Sequence, residues 1–323
     1  MLSTKKPDVV PGMLANDTQS GQVYGVPWFG GVRGVWYRTD QFKAAGISSP
    51  PTTWNGLVSD AKKLQQKYPG TYGLGAPSNF TNGIVSFIWG AGGQVATEKN
   101  GKWTAGLTSP QSEAGLKFYA DLHLTQKVSP SKYIGQTELG NPGSTSGGAD
   151  EDFALGKLDM YMDGPWAASS LEAVSTKHKA DWASFPIPSQ NGPDPAPVFS
   201  GGSDLAVFKT SPNQQAAWDL ITVMDNPTNS TSFAGLSGFF SPYSAQITAS
   251  ENTGGAFMAG FAKAALNGQT APLNAKNWAT ADNGKLNIIP TMLKQLMQGA
   301  PFDSTVAAAN TQLANVLNSG SAS

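Results

Sequence analysis

Fifteen residues from Phe153 to Ala167, Phe-Ala-Leu-Gly-Lys-Leu-Asp-Met-Tyr-Met-Asp-Gly-Pro-Trp-Ala, constrain this chain more than any other run of that length. Asp152, Phe153 and Leu155 close a helix at Gly156, since glycine readily takes the left-handed conformation that ends helices. Leu158, Met160 and Met162 then alternate with Asp159, Tyr161 and Asp163, the period of a strand, with Asp159 expected on a solvated side. Gly164-Pro165 stops that strand and opens a new helix, because proline suits a first helical position. Trp166 therefore sits on the first turn of a helix at the carboxyl end of a strand, where open α/β sheets place ligands. Two readings stand for its ring: a core side chain beside a tight turn, or a flat platform for the apolar face of a sugar.

The rest of the chain alternates between the two periods. Gln22–Phe29 and Gly34–Tyr37 read as strands broken by Gly30-Gly31, after a short helix near Pro11–Ala15. Thr53 caps an amphipathic helix carrying Trp54, Leu57, Val58, Ala61 and Leu64. A strand at Tyr72–Gly75 and a helix at about Thr81–Gly90 follow. Lys102–Leu107 reads as a hairpin arm, and Ser109-Pro110 caps a helix bearing Leu116, Phe118, Tyr119 and Leu122. Ile134–Gly148 and the proline-rich Pro186–Pro197 read as loops. Strands at Trp182–Ile187 and Ser203–Phe208 precede a helix at Asn213–Met224 with Ala216, Ala217, Leu220 and Ile221 inward. Helices at about Ser230–Leu236, Ala256–Leu266, Ile288–Met297 and Ser304–Leu317 complete the chain. Alternating strands and helices followed by a helical tail argue for an α/β layered fold.

With 323 residues, a net charge of −1 and only 13% charged residues, the chain carries no footprint for nucleic acid or a polybasic membrane surface. It has no cysteine, which removes disulfides, thiolate metal sites and a cysteine nucleophile. No apolar run approaches the length of a membrane span, and Met1–Lys6 shows no signal-peptide core.

Catalytic motifs are lacking: no Gly-x-Ser-x-Gly, no phosphate-binding Gly-Lys-Ser/Thr and no His-Glu-x-x-His. His123 and His178 are isolated in helix-like stretches and read as surface or packing residues. Glu151, Asp152, Asp159 and Asp163 could provide a carboxylate pair for glycoside hydrolysis, with Asp163 beside the Gly-Pro turn the best placed to meet a ligand hydroxyl. More telling is aromatic and amide chemistry beside glycine-rich breaks. Trp28, Phe29 and Arg33 flank Gly30-Gly31; Asn79, Phe80 and Asn82 precede a helix; Gly201, Gly202 and Ser203 open a strand; Asn277-Trp278 sits in a loop. Flat rings for CH faces, with amides, carboxylates and an arginine for hydroxyls, suit carbohydrate. Taken singly, each patch is better explained by packing or turn formation.

The ordered set Gln22-Val-Tyr-Gly-Val-Pro, Arg33, Val35-Trp-Tyr-Arg-Thr-Asp40, Ala45-Gly-Ile47, Pro50-Pro-Thr-Thr-Trp54, Trp89–Gly93, Asp152–Trp166 and Ser200-Gly-Gly202 resembles the carbohydrate-binding extracellular solute-binding proteins of ABC importers. The resemblance runs through the tail helices to Leu317. It implies an α/β, two-lobe periplasmic-binding-protein-like fold of type II, crossed three times by the chain, with sugar held between the lobes. By position, the crossovers fall at Gly30–Arg33, Val198–Ser203 and about Ile247–Thr253. Lobe I would then comprise residues 1–29 and 199–248, and lobe II residues 30–198 and 249–323.

Trp166 is the implied stacking tryptophan of the second lobe. Asp163, Trp28, Phe29, Arg33, Asn79, Phe80, Asn82, Gly201, Gly202, Ser203 and Trp278 are the further ligand-binding candidates; no catalytic residue, metal or cofactor is implied. Two departures stand out: Asp159 occupies a position usually held by alanine, and Asn82 and Val85 align where rings are found, leaving Phe80 to supply one. The family pattern also places two βα units before the strand at Gln22, where about twenty residues stand here, so the first lobe is expected to be incomplete. The reading is thus a non-enzymatic sugar-capturing protein of an importer, exported in its parent form. A mono- or oligosaccharide and the importer's membrane subunits are its partners, nucleic acid is not, and self-association would run through the incomplete lobe. The alternatives are a glycan hydrolase with an acidic pair near Asp163, or a remnant with little binding.

Overall fold

The computed structural model describes residues 8–19, 21–137, 148–270, 275–282 and 286–319. Most of the loop expected at 134–148 lies outside them. In chain order the elements begin with α1 (Pro11–Asn16), the small hairpin β1 (Thr18–Gln19) and β2 (Gln22–Val23), then β3 (Val26–Gly31), β4 (Gly34–Arg38) and α2 (Thr39–Ala44). Next come α3 (Trp54–Lys67), α4 (Thr81–Gly90), β5 (Ala96–Lys99), β6 (Lys102–Ala105), α5 (Pro110–Leu124), α6 (Ala149–Ala154), β7 (Met160–Asp163), α7 (Ala167–Val174) and β8 (Trp182–Phe185). The remainder is β9 (Val198–Phe199), β10 (Gly201–Leu205), α8 (Gln214–Met224), α9 (Pro227–Ser237), α10 (Ser244–Thr253), α11 (Ala256–Leu266), β11 (Gly268–Gln269), α12 (Trp278–Asp282), α13 (Ile288–Met297) and α14 (Phe302–Asn318).

Local chemistry sets many of these limits. Thr53 accepts a hydrogen bond from the Gly56 N–H at the start of α3, and Ser109 does the same for Ser112 at α5. Each satisfies a donor that the first helical turn leaves without an intrahelical partner. Gly156 takes a φ of +73° after α6, as a helix-closing glycine should. Residues Ile247–Thr253, expected as a crossover, form most of α10.

The central sheet runs β7-β4-β8 with both pairings antiparallel. Tyr72 and Gly75 bridge Leu158 and Tyr161 in parallel, so a fourth segment lines the free side of β7. A second, two-stranded sheet pairs β3 with β10, and Phe240 bridges Gly30 on the other side of β3. Buried apolar side chains from the central sheet, α3, α4, α5, α11, α13 and α14 form one continuous core. Trp36 lies at its middle, stacked on Tyr161 and Phe257, with its indole N–H donating to the Gly164 carbonyl.

Two expectations fail. The helix α8 was expected to turn Ala216, Ala217, Leu220 and Ile221 inward, yet only Ile221 is buried and Leu220 is 59% exposed. Among the described residues, the packing on that face covers Ile221 and part of Ala217 but leaves Ala216 and Leu220 exposed. Asp159, expected on a solvated side, is fully buried because the Tyr72–Gly75 segment covers its strand. Its oxygens accept from Gln41 Nε2 at 3.2 Å and from the Thr71 hydroxyl at 2.7 Å. Burial pushes its carboxyl up to about 6, against the pull of Thr71, Arg38 and Gln41.

Candidate functional site

Trp166 caps α7, and three glycines from separate segments make room for it. A Cβ on Gly164 would stand 2.2 Å from its ring, one on Gly31 2.8 Å from Cζ3, and one on Gly238 2.8 Å from its Cα. Gly238 also takes φ +73°, so two constraints coincide there. Of the doublet Gly30-Gly31 in the sequence, Gly31 is therefore clearance for a ring more than a hundred residues away, while Gly30 makes room for the Met13 side chain.

The Trp166 ring stacks on Phe239 at 5.3 Å, and the Arg33 guanidinium lies 5.3 Å from its centroid, a cation–π distance. From Phe239 a run of rings continues through Phe29 at 4.6 Å to Phe233 at 5.2 Å and on to Trp28, which stacks on Phe233 at 4.6 Å. All five rings are partly exposed. The run ties β3 to the end of α9 and to the start of α7.

Beside Trp166 opens a cavity of about 510 Å³ between α7, α9, α10 and α11. Trp166, Leu236, Phe239 and Phe257 supply its apolar wall, and Ser169, Glu172, Gln246, Ser250 and Thr253 line it with polar groups. This mix of an aromatic wall and a few hydroxyl, amide and carboxylate groups can hold a polyhydroxylated ring: CH faces against rings, hydroxyls toward polar atoms. Glu172 is the one carboxylate among the described lining residues, and its Oε1 is paired with Lys179 Nζ at 2.8 Å.

Other candidates lie elsewhere. Asp163, expected to reach a ligand hydroxyl, is fully buried behind the turn, where Oδ1 accepts from the Gly164 N–H at 2.7 Å. Phe80 is 1% exposed and packs on Tyr119, and Trp278 is 4% exposed in α12, so both rings belong to the core and face no ligand. Asn79 and Asn82 are half-buried at the start of α4, outside the cavity lining. Gly201, Gly202 and Ser203 pair with Gly31, Gly30 and Phe29, so they hold β3 and its rings in place without lining the cavity. Asp152 is structural: it accepts from the Tyr133 hydroxyl at 2.7 Å and pairs with Lys132, and burial raises the neighbouring Asp150. His123 is a packing residue, with Nε2 2.6 Å from the Ala76 carbonyl. Sequence reading missed Phe233, Leu236 and Phe239. For Phe239 the signal was present in Gly238-Phe239-Phe240, one more aromatic pair against a glycine, like Trp28-Phe29 before Gly30; Phe233 and Leu236 sit inside α9 with no such signal.

Comparison with known proteins gives this arrangement its context. The chain is 26% identical over 285 residues to the diacetylchitobiose binding protein DasA of Streptomyces coelicolor, covering 88% of this chain and 64% of that protein. It is 26% identical over 223 residues to the mannitol-binding protein of Pseudomonas aeruginosa, covering 65% of this chain and 47% of that protein. Its fold superposes on the sugar-binding protein MalE of Xanthomonas citri with a TM-score of 0.81 at 20% identity, covering 96% of this chain and 74% of the other. A solute-binding protein of Thermotoga lettingae bound with alpha-D-tagatose gives a TM-score of 0.76 at 21% identity, covering 96% and 76%. The chain thus spans less than two-thirds of the length of these sequence relatives and about three-quarters of these solved chains. The fold is that of the type II periplasmic binding proteins. A sequence model of the bacterial extracellular solute-binding proteins matches residues 2–230, and the chain belongs to that family.

Proposed function

We propose that the chain captures a sugar in the Trp166 cavity and presents it to the membrane subunits of an ABC importer, without chemistry on the sugar. The observation that carries this reading is the Trp166 ring, seated on glycines of three segments and open to a cavity that is apolar on one wall and polar on the other. Residues 1–29 with 199–248 make one lobe and residues 30–198 with 249–323 the other, and closing them on the sugar offsets the cost of closure. The aromatic run Trp28–Phe29–Phe239–Trp166 spans this boundary. Among the described residues no helix is long and apolar enough to cross a membrane; we place the protein's work at the outer face of the bacterial membrane or in the periplasm. On α8, Leu220 and Val223 lie three residues apart and are 59% and 55% exposed, an apolar strip through which the chain self-associates.

A hydrolase is disfavoured by the site itself. Glycoside hydrolysis needs two carboxyl groups about 5–9.5 Å apart, whereas the described cavity lining has Glu172 alone and Asp152, Asp159 and Asp163 are in the core. Titrating intrinsic tryptophan fluorescence with N-acetylated disaccharides, maltodextrins, lactose and mannitol tests the proposal. Saturable binding without product is expected, and Trp166→Ala should weaken it by about 1–3 kcal/mol. Sugar cleavage, or undiminished affinity in Trp166→Ala, overturns it.

A further inference from the structure

The antiparallel register of β4 and β8 sets Arg38 opposite Trp182. Asp40 lies two residues beyond Arg38, in the first turn of α2. Asp181 lies one residue before Trp182, at the end of the 3₁₀ turn Lys179–Asp181. Two carboxylates are thereby brought to one end of a rigid strand pair. The Thr39 hydroxyl ties the turn in place by donating to the Asp181 carbonyl at 3.3 Å. His178, immediately before the turn, completes the group: one ring nitrogen and one oxygen from each carboxylate lie within 4.8 Å of one another.

One imidazole nitrogen with two carboxylates suits zinc and neighbouring divalent transition metals. Calcium and magnesium call for oxygen alone. Donors around a tetrahedral zinc with bonds of about 2.0–2.1 Å stand roughly 3.3 Å apart. The three side chains all reach solvent in part and close that gap by rotation. Arg38 orients Asp40 from behind, with Nε 3.0 Å from Oδ1 and Nη2 2.6 Å from Oδ2. That is the role of an outer-shell partner, and each oxygen keeps a second lone pair. An imidazole ligates a metal through an unprotonated ring nitrogen. The Arg38 charge also keeps the site weak beside a structural zinc centre.

We propose that Asp40, His178 and Asp181 bind one divalent transition-metal ion, zinc foremost, with water completing its coordination. The cavity lies at the opposite end of β4, where Gly34 pairs with Asp163 behind Trp166. The ion would therefore pin the β8 entry to α2 and would not take part in sugar capture.

The test uses the full chain after EDTA treatment, titrated with zinc chloride by calorimetry and with cobalt(II) chloride by visible absorption. One saturable equivalent is expected, with a rise in melting temperature on adding zinc. His178→Ala and Asp181→Asn should each weaken binding at least about tenfold and abolish the thermal shift. The exposed Asp219→Asn should leave both unchanged. Circular dichroism confirms that the variants are folded. The absence of saturable binding at millimolar zinc, or binding that survives His178→Ala, overturns the proposal.

Discussion

Replacing Asp159 with asparagine should stabilise the protein at neutral pH. The carboxyl is fully buried, and its value of about 6 against an ordinary 3.8 comes chiefly from loss of water. At 1.36 kcal/mol per pH unit, that displacement makes the charged form about 3 kcal/mol costlier in the fold than in the unfolded chain. Because the folded value is raised, the associated stability is fully present below about pH 4 and is lost as pH climbs through about 6. Asparagine removes the charge and fits the site. Gln41 Nε2 keeps its acceptor on the amide oxygen, while the new NH₂ donates to the Thr71 oxygen. Thr71 can do this because its hydroxyl also lies 2.9 Å from the Tyr68 carbonyl, and its single proton then goes there. Losing the attraction to Arg38 trims the benefit. The expected gain is about 1–3 kcal/mol at pH above 7 and about zero at pH near 4. Urea unfolding followed by tryptophan fluorescence at both pH values measures it. An equal effect at the two pH values, or a loss beyond about 1 kcal/mol at neutral pH, would refute the reasoning.

Further outcomes follow from single contacts. Ser109→Ala removes the acceptor for the Ser112 N–H at 3.2 Å and should cost about 1 kcal/mol in urea unfolding. Gly34→Val places a Cβ 2.9 Å from the Phe261 ring and 3.0 Å from the Phe185 carbonyl, so overpacking of about 1–3 kcal/mol should lower the melting temperature. Gly31→Val drives a side chain into Trp166 and Phe239, and it should reduce sugar affinity by about 1–3 kcal/mol even though Trp166 is retained. Leu220→Glu with Val223→Glu should shift the chain toward monomer in light scattering; an unchanged molar mass would exonerate that face.

Some of this was legible because it is local. The bounds of α4, α11 and α13 coincide with the reading from period and capping, since a helix is specified by neighbours three and four residues away. The turn at Gly164-Pro165 and the place of Trp166 at the head of α7 depend on residues adjacent in sequence, and so did the helix stop at Gly156.

What the sequence alone determined is the family pattern, the bounds of several helices and the place of Trp166 at the head of α7. Tertiary structure decided which sides are covered. Period two says that Asp159 and Met160 point opposite ways, but whether Asp159 meets water depends on Tyr72–Gly75, a segment more than eighty residues earlier. Phe80 and Trp278 have the same chemistry as Trp166 and Phe239, and only packing separates the core rings from those that line the cavity. The face of α8 reads as buried from its own periodicity, yet among the described residues only Ile221 is fully covered while Ala216 and Leu220 stay exposed. Conformation is set over a few residues along the chain, whereas burial is set by whatever the fold brings near in space.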